Sequence, residues 1–123
     1  MAQRNAVFPA NRHALYAEHG YSAAIKSGDL LFVSGQVGSH SDGSPEPDFE
    51  AQVRLAFANL EATLKAGGAT LDDIVDVTTF HTDPENQFET IMKVKGDVFP
   101  EAIGVNWLAG FDFEIKVIAR IPG

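Results

Sequence analysis

From Phe111 to Ile121 every second residue is apolar: Phe111, Phe113, Ile115, Val117, Ala119 and Ile121. A period of two held this long describes a β-strand with one face in a core, and a slip of one residue would carry the whole apolar set to the other face. The strand therefore demands a layer to pack against. Its other face carries Glu114, Lys116 and Ile118, a mixture that a partner subunit is a candidate to cover.

The covering layer is legible upstream. Phe49, Val53, Ala56, Phe57, Leu60 and Leu64 recur at spacings of three and four, with Glu50, Arg54, Asn59, Glu61 and Lys65 between them, as in an amphipathic helix. Asp48 is its expected N-cap, and Gly67-Gly68 is its expected positive-φ stop. Before it, Ser22–Lys26 and Leu30–Ser34 flank Ser27-Gly28-Asp29 as a β-hairpin, and 38–47 reads as a surface loop. Ile74–Thr82 is rich in β-branched residues and suits a strand. Asp83-Pro84 then starts a second helix, whose inner face is expected to hold Phe88, Ile91, Val94 or Lys95, and Val98. A further strand-like run spans Ile103–Leu108. The order ββ, α, β, α, ββ and the single apolar sheet face point to one α+β domain over residues 1–123, with both helices on the same side.

Composition narrows the function. Nine Lys plus Arg against 17 Asp plus Glu leave a net charge of −8, which disfavours a nucleic-acid partner. With no cysteine there are no thiolate metal sites and no thiol catalysis. The histidines His13, His19, His40 and His81 form no His-x-x-x-His or His-x-His pair, so no metal is expected. His81 is expected to cap or orient the helix that follows it. The N-terminal segment lacks the apolar stretch of a signal peptide, and no run reaches the roughly 20 residues of a membrane span; the expected location is the cytoplasm.

Three segments together resemble the RidA/YjgF family: Tyr21–Gln36 with its Phe-Val-Ser-Gly-Gln end, the Ala58–Gly68 helix end, and the strand Phe113–Arg120. The similarity runs from about Tyr21 to Ile121. The segments Ala6–His19 and Trp107–Glu114 are more particular and look like the YjgH subgroup. The resemblance implies a chorismate-mutase-like (bacillus-type) α+β fold, with two helices on one face of a mixed sheet. It also implies a homotrimer with intersubunit clefts, and hydrolysis of 2-imino acids or their enamine tautomers to keto acids and ammonia without any cofactor. In that pattern an Arg holds the substrate carboxylate, a Glu assists the water or imine, and a Tyr with a Ser-Gly backbone completes the pocket. Tyr21, Ser34, Gly35 and Glu114 match by position. The Arg does not: Ala102 stands at that position, in a 99–105 segment that is short for the subgroup. Gly104 and Trp107 complete the implied binding set.

Each candidate has a bland reading beside the functional one. Glu114 is a general base, or one half of an ion pair with Lys116, Arg120 or a neighbouring chain. Ser34-Gly35 presents backbone N–H groups to an anionic or carbonyl oxygen, or simply ends a strand at a bend. Tyr21 hydrogen-bonds a substrate or packs at an interface, and Trp107 walls a small planar ligand or fills a core. Arg12 is a candidate to replace the missing carboxylate clamp from another position. Three functions follow: an imine or enamine deaminase with altered specificity, a trimer that binds a small metabolite (imine, enamine or keto acid) without turnover, and, against the charge, an endoribonuclease or translation inhibitor.

Overall fold

The computed structural model describes residues 5–98, the backbone of 104–106, and 111–122. Six strands form one mixed sheet: β1 (Asn5–Val7), β2 (Ala24–Ser27), β3 (Leu30–Val37), β4 (Ile74–His81), β5 (Gly104–Asn106) and β6 (Phe113–Arg120), in the order β1-β2-β3-β6-β4-β5. All neighbours are antiparallel except β4 and β5. Among the described residues three α-helices accompany the sheet, α1 (Leu15–His19), α2 (Phe49–Ala66) and α3 (Pro84–Val98), with a single 3-10 turn at Leu71–Asp73. The alternating strand is thus β6, an interior strand between β3 and β4, which is where a strictly patterned strand belongs.

Its inward residues Phe113, Ile115, Val117 and Ala119 are at most 1% exposed. They pack with Leu31 and Val33 of β3 and with Val53, Phe57, Leu60 and Leu64 of α2. Phe57 and Phe113 meet ring to ring at 6.0 Å. Each of these larger side chains contributes about 1.5–3 kcal/mol on burial. Asp48 caps α2 by accepting the Ala51 N–H at 3.0 Å. The two glycines after α2 divide the stop between them. Gly68 takes the positive φ of 86°, whereas Gly67 has φ −86° and is bare because a Cβ there would meet Leu31 Cδ2 at 2.5 Å.

Three expectations change. Phe88 is 59% exposed, not inward. The inner stripe of α3 is Ile91, Val94 and Val98, and extending that stripe one turn toward the N-terminus reaches Gln87, which sets Phe88 about a quarter-turn away. His81 does not cap α3. Its Nε2 lies 2.8 Å from Thr79 Oγ1; the residue before the helix, Asp83, donates its N–H to Gln87 Oε1 at 3.1 Å and accepts from Asn86 Nδ2 at 2.8 Å. The N-terminal segment, which carries no periodicity long enough to read, forms β1 on the sheet edge and the five-residue α1, ended by Gly20 at φ 66°.

On the opposite face of the sheet, Phe32 is 41% exposed and is paired in register with Ile25 on one side and Ile118 on the other.

Candidate functional site

The pairing of β3 with β6 contains one irregularity. Val33 pairs with Val117 and Gln36 with Ile115, so Ser34 and Gly35 together stand opposite the single residue Lys116. This is a β-bulge, a feature that re-aims side chains at strand ends and beside sites. Three elements hold it. The Ser34 N–H donates to Ala23 O at 2.9 Å and its hydroxyl to Ser22 O at 2.7 Å. The Ser34 carbonyl accepts from Gln36 Nε2 at 3.2 Å, while Gln36 Oε1 accepts the Tyr16 hydroxyl at 2.9 Å. Gln36 is fully buried and Tyr16 nearly so. Ser34 therefore shapes the bulge with its polar groups already engaged, and its N–H is not free for a ligand oxygen.

Glu114, just inside the start of β6, lays its side chain across the bare Cα of Gly35; a Cβ at Gly35 would overlap the carboxylate. The start of β6 is in turn fixed by Gln52 of α2, 2% exposed, whose Oε1 accepts the N–H groups of Asp112 at 2.9 Å and Phe113 at 3.3 Å. Burial pushes the Glu114 carboxyl above its ordinary range, with Lys116 pulling the other way. Burial, helped by the nearby Tyr16 and Glu114, pushes the Tyr21 phenol up to about 12, so it remains a proton donor at neutral pH.

Tyr21, Ser34, Gly35 and Glu114, distant in sequence, line one cleft of about 450 Å³, joined by Leu15, His19, Val37 and Phe111. This volume suits a small metabolite. Leu15 and His19 come from α1, whose brevity hid them in the sequence; Gly20 after His19 was the only signal of a helix end there. Among the described lining residues there is no Arg or Lys. Arg12 lines a different pocket, its guanidinium 4.3 Å above the Phe8 ring, so within one chain it is not a clamp for a ligand at Glu114. Gly104, on β5, pairs with Thr78 of β4, and β4 separates it from the strand of Glu114. Ala102 and Trp107 lie outside the described residues. Among the described residues no three His, Asp or Glu side chains group as metal ligands, and no helix is long and apolar enough to cross a membrane.

Known proteins share this sequence family and fold. A family model described as Endoribonuclease L-PSP matches residues 11–121. The RutC family protein YjgH of Escherichia coli (strain K12) is 72% identical, with 99% of this chain and 98% of the relative covered. That alignment has more positions than this chain has residues, so the relative carries residues with no counterpart here. A solved structure of protein YjgH superposes with a TM-score of 0.90 over 98% of both chains, at 72% identity. RidA from an Antarctic Psychrobacter superposes at 0.84 with 27% identity, covering 96% of this chain and all of the other. A protein of E. coli K12 named putative reactive intermediate deaminase TdcF is 34% identical over 66% of this chain and 63% of its own length. With a family model spanning nearly the whole chain and the same fold at high and low identity, the protein belongs to the Endoribonuclease L-PSP family, the RidA/YjgF proteins.

Proposed function

We propose that this protein is a cytoplasmic Rid-type hydrolase that converts a small imine or its enamine tautomer, plus water, to the carbonyl compound and the amine or ammonia. The observation that supports this most is the half-buried Glu114 carboxyl, raised above its ordinary range and held against Gly35 in a cleft with a protonated Tyr21. A carboxyl of raised pKa serves both halves of the reaction: it hands a proton to the imine nitrogen, and as carboxylate it takes one from the attacking water. The Tyr21 hydroxyl donates to the developing carbinol oxygen, and Phe111, Val37 and Leu15 supply the apolar wall. No cofactor enters this scheme. Among this chain's described lining residues there is no Arg or Lys to offset carboxylate desolvation, which favours an imine without a carboxylate over a 2-imino acid.

The active form is a homotrimer with the cleft completed by a neighbouring subunit. Phe32 with Ile25 and Ile118 on the open sheet face supplies apolar area for that contact. Light scattering should return three times the 13.2 kDa chain mass; a single-chain mass at micromolar concentration refutes the assembly.

The test of activity compares the chain with Glu114→Gln on imines generated in situ by amine and amino-acid oxidases. Accelerated hydrolysis lost in the variant supports the assignment, with amine-derived imines preferred. Tight binding of imine, enamine or keto acid with no acceleration by an intact trimer selects the second reading, metabolite binding without turnover, which Ala102 at the family's Arg position favours.

A further inference from the structure

A second cavity of about 530 Å³, which shares none of its lining residues with the Glu114 cleft, lies between the N-terminal segment and α2. Its floor and walls are largely apolar, with Pro9, Ala10, Ala62 and Ala66 around Tyr16. Two cations, Arg12 and Lys65, stand at it, and no carboxylate does. In a chain with 17 acids and nine bases this is the reverse of the average surface. Neither cation has a carboxylate within ion-pair distance among the described residues, whereas Arg54, Lys93 and Arg120 all do.

Arg12 is exposed, and an aromatic contact orients it. Its guanidinium lies 4.3 Å over the Phe8 ring; Phe8 meets Tyr16 edge-on at 5.7 Å, and Tyr16 stacks on His13 at 4.3 Å. A guanidinium beside a ring keeps N–H groups for other partners, and a carboxylate matches its fork with two parallel hydrogen bonds. An open, largely apolar groove with a guanidinium and a second point charge suits a small apolar body carrying one anionic group. The net charge of −8 acts against more highly charged anions.

We propose that this cavity is a binding site for a small organic monocarboxylate, separate from the Glu114 cleft. Benzoate is the probe, titrated into the isotope-labelled full chain by NMR. Saturable shifts centred on Arg12, Ala62 and Ala66 are expected, with inorganic phosphate binding more weakly at the same residues. Arg12→Gln and Lys65→Gln should each weaken benzoate binding at least about tenfold, the scale of one charge-assisted contact. Ala62→Phe, which fills the cavity and leaves both charges in place, should abolish it and keeps the test open if a charge variant folds poorly. No saturation through the millimolar range, shifts centred on Gly35 and Glu114, phosphate binding tighter than benzoate, or affinity unchanged in Arg12→Gln would each overturn the proposal.

Discussion

The Glu114 side chain occupies the space where any residue other than glycine at position 35 would place its Cβ. Gly35 lies in the β3 bulge and Glu114 near the start of β6, so the carboxylate position depends on a single missing methyl group. Adding that group by Gly35→Ala should push Glu114 out of its niche and lower stability by about 1–3 kcal/mol, the usual scale of overpacking. Imine hydrolysis should fall along with it. Denaturant unfolding and the oxidase-coupled assay measure the two effects; an alanine variant equal to wild type in both would mean that Glu114 has another equally good position.

Glu114→Gln keeps the shape and removes the titration. We expect imine hydrolysis to drop by about a hundredfold or more, the lower range for loss of a general acid–base group. Burial raises the folded-state value above the ordinary 4.5, so the folded chain keeps this proton at pH values where the unfolded chain has released it. The resulting stability is complete below about 4.5 and is lost as pH rises through the folded value. The variant should therefore gain in melting temperature over wild type between about pH 4 and pH 8. A constant difference across that range would refute the raised value.

Gln52 anchors the strand that carries Glu114, accepting two backbone N–H groups and donating to Glu46 O at 2.9 Å. Gln52→Leu leaves buried backbone groups without partners and should cost about 2–4 kcal/mol. Hydrogen exchange at Asp112 and Phe113 should accelerate more than exchange at Leu31, where the core is untouched. Uniform acceleration would show that the residue supports the whole fold equally.

His13 is 6% exposed, and burial lowers its pKa from the ordinary 6.5. The unfolded chain takes up this proton first as pH falls, so the stability is present above about 6.5 and declines below it. His81 is shifted in the same direction and adds to the decline. His13→Phe, which preserves a ring against Tyr16, should make the fall in melting temperature between about pH 7 and pH 5 shallower. An unchanged slope would assign the decline to other groups.

The sheet and its helical cover were legible because their signals are periodic and local. The alternation of Phe113 to Ile121 names both faces of β6, and the three-four spacing from Phe49 to Leu64 names the face of α2 that meets it. Phe88 misled because apolar character alone does not choose a helix face; the direction of the Ile91–Val94–Val98 stripe does. Tyr21, Ser34, Gly35 and Glu114 were assembled by family resemblance, not by any pattern in their own spacing. Gln36 and Gln52 gave no sign of being buried, since a glutamine reads as polar surface until the backbone groups it must satisfy are known.

The sequence by itself determined the order of the elements from β2 onward, the buried face of the long helix and of the last strand, the acidic balance and the residues available for chemistry. Each is a property of one segment and its composition. Only the tertiary structure decided that one bulged register step sets Gly35 beneath Glu114, that α1 lines the cleft with Leu15 and His19, and that Arg12 stands over Phe8 in a separate pocket. Those relations depend on strand register and on which pocket a side chain lines. Both are set by long-range packing, where a shift of one residue moves a group from one site to another.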